Sequence, residues 1–342
     1  MRLCGKEREI TIKYLDDIRT QELVNEIKSR FASVNDDISD INDAVLSAPL
    51  NHNGIFRGKD LTNIYTVSQI AAMVSSGNFD DLYLGDYFTV SITTDIYNRF
   101  VGSSFVSGRT YYEASGTIND RTWTATSDTV PQSGKVYATR KTLTENVDLM
   151  FAGFDWYYNS GYPRDSSVRV HHAVLTLKNM IFDQIAKMNA TGGSAGGYYN
   201  SDLHQYILPC YAKSLNTALG GHLITFKSRL TNSIDAAQPA MSGAGLTGAA
   251  NSADWADTKL QLMNEVQVFG TSVWTSSAYD ITVDNRVLPV YRYITPIQYT
   301  PHNIWLRSVA SSTDFAYFTT QGNCNHISAD TSVGVSPMML FG

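Results

Sequence analysis

The chain has 342 residues, 43% hydrophobic and only 17% charged. That is apolar enough for a sizeable core and excludes global disorder. A formal net charge of −6 with no lysine or arginine cluster argues against a nucleic-acid partner, because neutralising phosphates needs a basic face. No apolar run approaches the ~18 residues of a membrane span, so membrane insertion is not expected.

The N-terminal stretch Met1 to Ile18 is charged throughout and lacks the apolar centre of a signal peptide. Within it, Glu9-Ile10-Thr11-Ile12-Lys13-Tyr14 alternates and predicts one strand. A lone strand needs a sheet, so residues 1–19 are expected to attach to another chain. The cleanest periodicity follows. Val24, Ile27, Phe31, Val34, Ile38, Ile41 and Val45 step alternately by three and four, with mostly polar residues between them. An unbroken 3.5-residue stripe predicts a coiled coil over 20–47, and β-branched residues at both core positions favour three or four strands over two. A homotrimer is the expected state. Ala48-Pro49-Leu50-Asn51-His52-Asn53-Gly54 reads as a helix stop, with a linker over 48–58.

A globular domain is expected over 59–342. Thr66-Val67-Ser68-Gln69 has the form of a capping box, Val67, Ile70, Ala71 and Val74 share a helical face, and Gly77 supplies a stop. Alternation and recurring turns then predict strands and loops from Leu82 to Val147, giving a β-rich insertion near 90–150. Leu177, Met180, Ile181, Ile185 and Met188 fall at helical spacing, so Ala173–Met188 reads as a second packed helix. Gly192–Gly197 reads as a flexible turn. Ser201 can cap a third helix through Leu219, kinked or split at Pro209 and ended by Gly220-Gly221. Gln238–Ser252 reads as a long surface loop. The remainder, through Trp274 and Val287-Leu288-Pro289-Val290 to Trp305 and the end, reads as strands and irregular turns. Strands, then helices, then strands predict an α+β class.

Chemistry-bearing patterns are sparse. Cys4, Cys210 and Cys324 form no CxxC or Cys/His spacing, and an odd count excludes a fully paired intrachain framework. Neighbouring His171-His172 on a strand face opposite ways, and His204, His222, His302 and His326 are scattered. No metal is therefore expected, nor calcium, although Asp80-Asp81, Asp254 with Asp257, and Asn264-Glu265 could supply oxygens. No Gly-x-Ser-x-Gly elbow or phosphate loop occurs, so no catalytic residue and no cofactor is assigned. Aromatics at Trp156-Tyr157-Tyr158, Tyr198-Tyr199, Trp255, Trp274 and Tyr317-Phe318 suit either the core or a stacking platform.

The last stretch carries a resemblance. Trp305-Leu306-Arg307-Ser308, a polar centre from Thr319 to Thr331, Gly334-Val335-Ser336-Pro337 and the end at Phe341-Gly342 resemble an uncharacterised family from bacteriophages and prophages of gut Firmicutes. Five further stretches fit the same family. They are Phe56 to Thr62, Gly85-Asp86-Tyr87-Phe88, His171 to Leu175, Leu262-Met263-Asn264-Glu265 and Tyr299-Thr300-Pro301-His302-Asn303, so the resemblance covers about Ile55 to Gly342. The ending is also similar to the variable proteins of diversity-generating retroelements, which have a C-type-lectin-like fold of the formylglycine-generating-enzyme type. Cys210 and Cys324 match no cysteine motif of that enzyme.

The resemblance implies an α+β chain: an N-terminal trimeric coiled coil followed by a C-type-lectin-like mixed α/β domain. It implies a virion structural protein, a fibre or spike assembled in the host cytoplasm, that binds a bacterial surface glycan or protein. Tyr317, Thr319, Gln321, Asn323, Asn325 and His326 fall where the retroelement-type proteins present their ligand surface. Two alternatives stay open, a capsid decoration or head-fibre protein without a dedicated receptor and a glycan-degrading virion enzyme.

Overall fold

The computed structural model describes residues 20–35, 52–161, 168–178, 185–235, 250–275, 282–294 and 302–342. The chain divides into two compact units, Met1–Asn51 and His52–Gly342. In the first unit, residues 20–35 form helix α1. Glu26 and Arg30, one turn apart, pair at 2.7 Å on its surface, a contact worth only ~0.3–0.5 kcal/mol. Leu23, Val24, Ile27, Phe31 and Val34 are all exposed on this helix. The strand expected at Glu9–Tyr14 and the stripe residues Ile38, Ile41 and Val45 lie outside the described residues.

The second unit is α+β, mostly sheet with few helices. It begins earlier than the sequence indicated. Residues 52–58, read as linker, are built into the domain: His52 and Asn53 are buried. The Asn53 side-chain amide donates to the Phe154 carbonyl at 2.8 Å and accepts from the Phe154 N–H at 2.7 Å. A polar tripeptide looks like a linker in sequence because only the finished sheet supplies its partners. Helix α2, Val67–Ser76, is as expected. Thr66 and Gln69 form the capping box, Ile70, Ala71 and Val74 are buried, and Gly77 ends the helix at φ 75. That left-handed turn carries a penalty for any residue with a Cβ.

Two long strands, β1 (Tyr87–Phe100) and β4 (Tyr137–Phe154), pair antiparallel from Tyr87↔Met150 to Phe100↔Tyr137. At one end of β4 the hairpin β2 (Tyr112–Ser115) and β3 (Thr122–Ala125) adds to the sheet through Tyr112↔Ala138. At the other end β4 pairs with β5 (Ala173–Leu177), followed across the sheet by β15 (Pro337–Phe341) and β10 (Leu260–Leu262). The β-rich region thus extends the main sheet.

Two sequence expectations change here. Ala173–Met188 is not a helix: it gives strand β5 and strand β6 (Ile185–Lys187), with 179–184 outside the described residues. All five residues of β5 are buried, because it lies between β4 and β15 with both faces covered. A short continuous apolar run of that kind has no period to separate strand from helix. Val287–Val290, within the stretch read as strands and irregular turns, leads into a 3-10 turn, Pro289–Arg292; proline lacks the ladder N–H and fits the first turn of a helix. Gly192–Gly197 is a turn but a fixed one. The Ser194 hydroxyl, fully buried, donates to the Ser311 carbonyl at 2.5 Å, and the Ser194 N–H donates to Ser312 O at 3.0 Å.

The third helix is split as its proline requires. A π-helical turn, Leu203–Ile207, runs into helix α3, Leu208–Ala218, which carries Pro209 in its first turn. The buried face of α3, Leu208, Tyr211, Ala212 and Leu215, packs on β1, and Ser214 Oγ donates to Thr93 O at 3.0 Å. Strand β7 (Leu223–Ile224) joins β15. Strands β8 (Phe226–Ile234) and β9 (Ala250–Thr258) form a separate two-stranded ribbon. Of the surface loop expected over Gln238–Ser252, the last three residues therefore belong to β9 and the rest lies outside the described residues. After β10 comes a short helix, α4 (Glu265–Phe269). A five-stranded sheet completes the unit: β11 (Ile304–Val309), β12 (Asp314–Phe318), β13 (Cys324–Ser328) and β14 (Ser332–Gly334), in the order β13-β12-β11-β14-β6.

Candidate ligand-binding surface

The residues that carry the resemblance build the frame. Trp305, fully buried, donates its indole N–H to Ala186 O at 2.7 Å and so ties β11 to β6. Arg307, next in the same strand face, lies 3.3 Å from Asp284 and donates to Arg229 O at 3.1 Å. Asp284 also accepts from the Tyr157 hydroxyl at 2.7 Å and the Gln267 amide at 3.1 Å. Burial beside that carboxylate pushes the Tyr157 phenol well above its ordinary value. Asn264 and Gln267 form the capping box of α4.

The Glu265 carboxylate, 1% exposed, accepts from the backbone N–H groups of Val273, Trp274 and Thr275 and from the Thr275 hydroxyl. Asp86, with no exposed surface, accepts from the Arg57 guanidinium at 2.6 Å and from the N–H groups of Lys59 and Tyr83. Asp155, at φ 48, holds both neighbouring histidines: it bonds His171 Nδ1 at 2.7 Å and accepts the His172 N–H at 2.8 Å. Burial lowers the His172 pKa. These acids act as internal acceptors, so their charge is spent on backbone and side-chain donors.

On this frame β12 and β13 present the six residues singled out from the C-terminal stretch. Their places differ. Tyr317, only 9% exposed, packs its ring edge-on to Trp305, and Thr319 is also buried. Thr319 organises the β12–β13 turn. Its N–H donates to Asn323 O at 2.7 Å, and its hydroxyl oxygen accepts from the N–H groups of Gln321 and Asn323. Gly322, at φ 85, closes that turn in the left-handed region. Gln321, Asn323 and Asn325 are exposed. His326 is half-buried, bonded to Asp314 at 2.6 Å, with its ring 4.6 Å from that of Trp274.

His326, anchored to Asp314, thus lies beside Trp274, whose indole N–H donates to Cys324 O at 3.0 Å, while the exposed amides Gln321, Asn323 and Asn325 belong to the β12–β13 turn and to β13. Neutral donors and acceptors on a rigid ladder can bind a ligand by hydrogen bonds. Among the described residues no cluster of three or more His, Cys, Asp or Glu could hold a metal. The nearest thiol, Cys324, points its Sγ to Glu265 at 3.4 Å. Burial and that carboxylate raise its pKa, which suppresses the nucleophilic thiolate.

The aromatic residues divide between core and surface. Tyr157, Tyr198 and Phe318 are core, Tyr158 is exposed, and Trp156, Tyr199, Trp255 and Trp274 are half-buried. Another aromatic group went unnoticed in the sequence. Tyr97 on β1 and Trp123 on β3 stack with ring centroids 4.8 Å apart and planes within 5°. Tyr206 lies edge-on to Trp123 at 5.8 Å, and the Arg121 guanidinium sits over the Tyr206 ring at 4.9 Å. The alternation of Arg121 and Trp123 about Thr122 marks an exposed hairpin, but nothing local joins it to residues 97 and 206.

A scan of protein-family models gives no match to this chain, and searches of curated proteins and of solved structures give none either.

Proposed function

We propose that the protein is a bacteriophage virion structural protein, a homotrimeric fibre or spike whose globular domain binds a ligand on the bacterial surface. The observation that carries the reading is the run of exposed Val24, Ile27, Phe31 and Val34 on α1. These residues occupy alternating a and d heptad positions, and apolar side chains at those positions are covered in parallel coiled coils by the same stripe of other copies. Residues 1–19 then attach the trimer to other virion proteins. The finer fold, C-type-lectin-like, belongs to the same proposal and rests on the Trp305–Ser308 and Gly334–Pro337 resemblance. In that reading Gln321, Asn323, Asn325 and His326 form the contact surface for a glycan or protein, while Tyr317 and Thr319 hold it in shape. Three such surfaces on one object gain avidity where their spacing matches the ligand array.

Sedimentation of the full chain, of a version lacking residues 1–47, and of Ile27→Asp tests the assembly. The expected result is a trimer for the full chain and monomers for both changed forms. A full chain that sediments as a monomer would overturn the proposal. Binding of the trimer to gut Firmicutes cells, lowered by Asn325→Ala and Gln321→Ala, tests the receptor role. Attachment to capsids with no cell binding would replace it with a decoration role.

A further inference from the structure

A groove separates helix α3 from the β2–β3 hairpin, and it contains two adjoining cavities of about 390 and 690 Å³. Arg121, Thr122, Pro209, Lys213 and Thr217 line both. These volumes fall within the ~300–1,000 Å³ usual for small-ligand sites. The walls mix polar and apolar surface and are unevenly charged. Arg121, Lys213 and Lys259 line the smaller cavity against one carboxylate, Asp120. Among the described residues none of the three cations pairs with a carboxylate. In a chain of net charge −6, three cations against Asp120 in the smaller cavity and Asp95 in the larger leave a local positive excess that favours an anion.

Arg121 is held in place for this. It donates to Gly116 O at 2.6 Å and to the Gln205 side-chain oxygen at 3.1 Å, and its plane rests on Tyr206. Those contacts, with a longer one from Nε to Gln205 O at 3.4 Å, leave part of its five-donor fork unused.

A second observation concerns His204, which also lines the smaller cavity and is 1% exposed. Its Nδ1 lies 3.0 Å from Tyr199 O. A carbonyl can only accept, so Nδ1 carries the proton and Nε2 is a bare acceptor in the neutral ring. Burial pushes the ring down to about 4, which keeps it neutral at ordinary pH. Nε2 has no hydrogen-bond partner, an uncommon state for a buried polar atom. Nε2 has almost no accessible surface and so stands behind the wall; the wall itself offers cationic donors for an acid group, with hydroxyl and amide side chains at Thr122 and Asn216 beside them. The larger cavity adds the stacked Tyr97 and Trp123, a surface on which a ring or carbon chain can lie.

We propose that this groove binds an acidic polyol, a sugar acid or a phosphate-substituted polyol, with the acid group held by Arg121, Lys213 and Lys259 and the hydroxyls by the neutral wall. A nucleic-acid strand fits less well, since following its backbone needs a longer basic track than three side chains. The site lies on different elements from β12 and β13, and the inference does not rest on the trimer reading.

Isothermal titration of the full chain tests it, with glucuronic acid, glycerol 3-phosphate, inorganic phosphate, glucose and a ten-residue oligothymidylate as probes. At least one of the first two should bind, more tightly than phosphate or glucose, and which one does identifies the acid group. The Lys213→Ala/Lys259→Ala double variant should lower that affinity about tenfold or more, and Lys213→Glu should lower it further. Both lysines have accessible side chains, so these variants keep the fold. Gln321→Ala/Asn325→Ala should leave the affinity unchanged, so failure here and failure of the host-binding reading are separate results. The proposal is overturned if neither acidic polyol binds at millimolar concentration. It is likewise overturned if phosphate alone binds as tightly, if oligothymidylate binds best, or if the lysine variants bind like the parent.

Discussion

Arg307 and Asp284 meet at 3.3 Å inside the core, neither side chain more than 4% exposed. The arginine of the Trp305–Ser308 stretch is therefore a structural cation, joining β11 to the segment at 284 and, through Arg229 O, to β8. Removing one partner of such a pair strands the other charge away from water, which costs about 3–5 kcal/mol, whereas replacing both with matched neutral groups costs far less. Arg307→Ala should lose about that much in urea unfolding. Arg307→Met combined with Asp284→Asn should recover part of it, and two additive losses would contradict the pairing.

His204 makes the stability depend on pH. The unfolded chain takes up its proton as pH falls through about 6.5; the folded protein resists until about 4, because the ring is buried. Stability from this group is therefore complete above about pH 6.5 and declines as pH drops through that window, by about 3 kcal/mol in all. His172, also lowered by burial, acts in the same direction. Urea midpoints measured from pH 7.5 to 4 should fall, and His204→Phe should flatten the decline.

The two described thiols should be inert in the folded protein. Burial raises Cys210 to about 11, and burial with Glu265 raises Cys324. In a Cys4→Ser background at pH 8, iodoacetamide followed by mass spectrometry should show little labelling without urea and two labels with it. Rapid labelling of the native protein would show that one of these sites opens.

On the β12–β13 surface, position decides what a substitution reports. Gln321→Ala and Asn325→Ala remove exposed side chains and should change stability by no more than about 0.5 kcal/mol. Tyr317→Ala empties a packed site beside Trp305 and should cost about 3–5 kcal/mol. Thermal unfolding checks both. A loss of cell binding is then evidence of contact for the two amides and evidence of collapse for the tyrosine.

Local signals were readable without the fold. The capping box at Thr66, the stop at Gly77, the break at Pro209 and the stripe from Val24 to Val34 depend only on neighbours within a few turns, so spacing along the chain suffices. The α+β class followed from the same patterns. What was lost was whatever another strand supplies. Ala173–Leu177 is a strand because β4 and β15 cover it on both sides, and no periodicity survives full burial. Of the six residues proposed for the ligand surface, burial separates Tyr317 and Thr319 from Gln321, Asn323 and Asn325, a difference invisible in their shared polar stretch. The Tyr97–Trp123–Tyr206 group joins residues 26 and 83 positions apart, and only the long β1–β4 ladder with α3 laid across it brings them to one groove. Sequence determined the elements whose causes are local, and tertiary structure decided burial and juxtaposition, which are properties of partners distant along the chain.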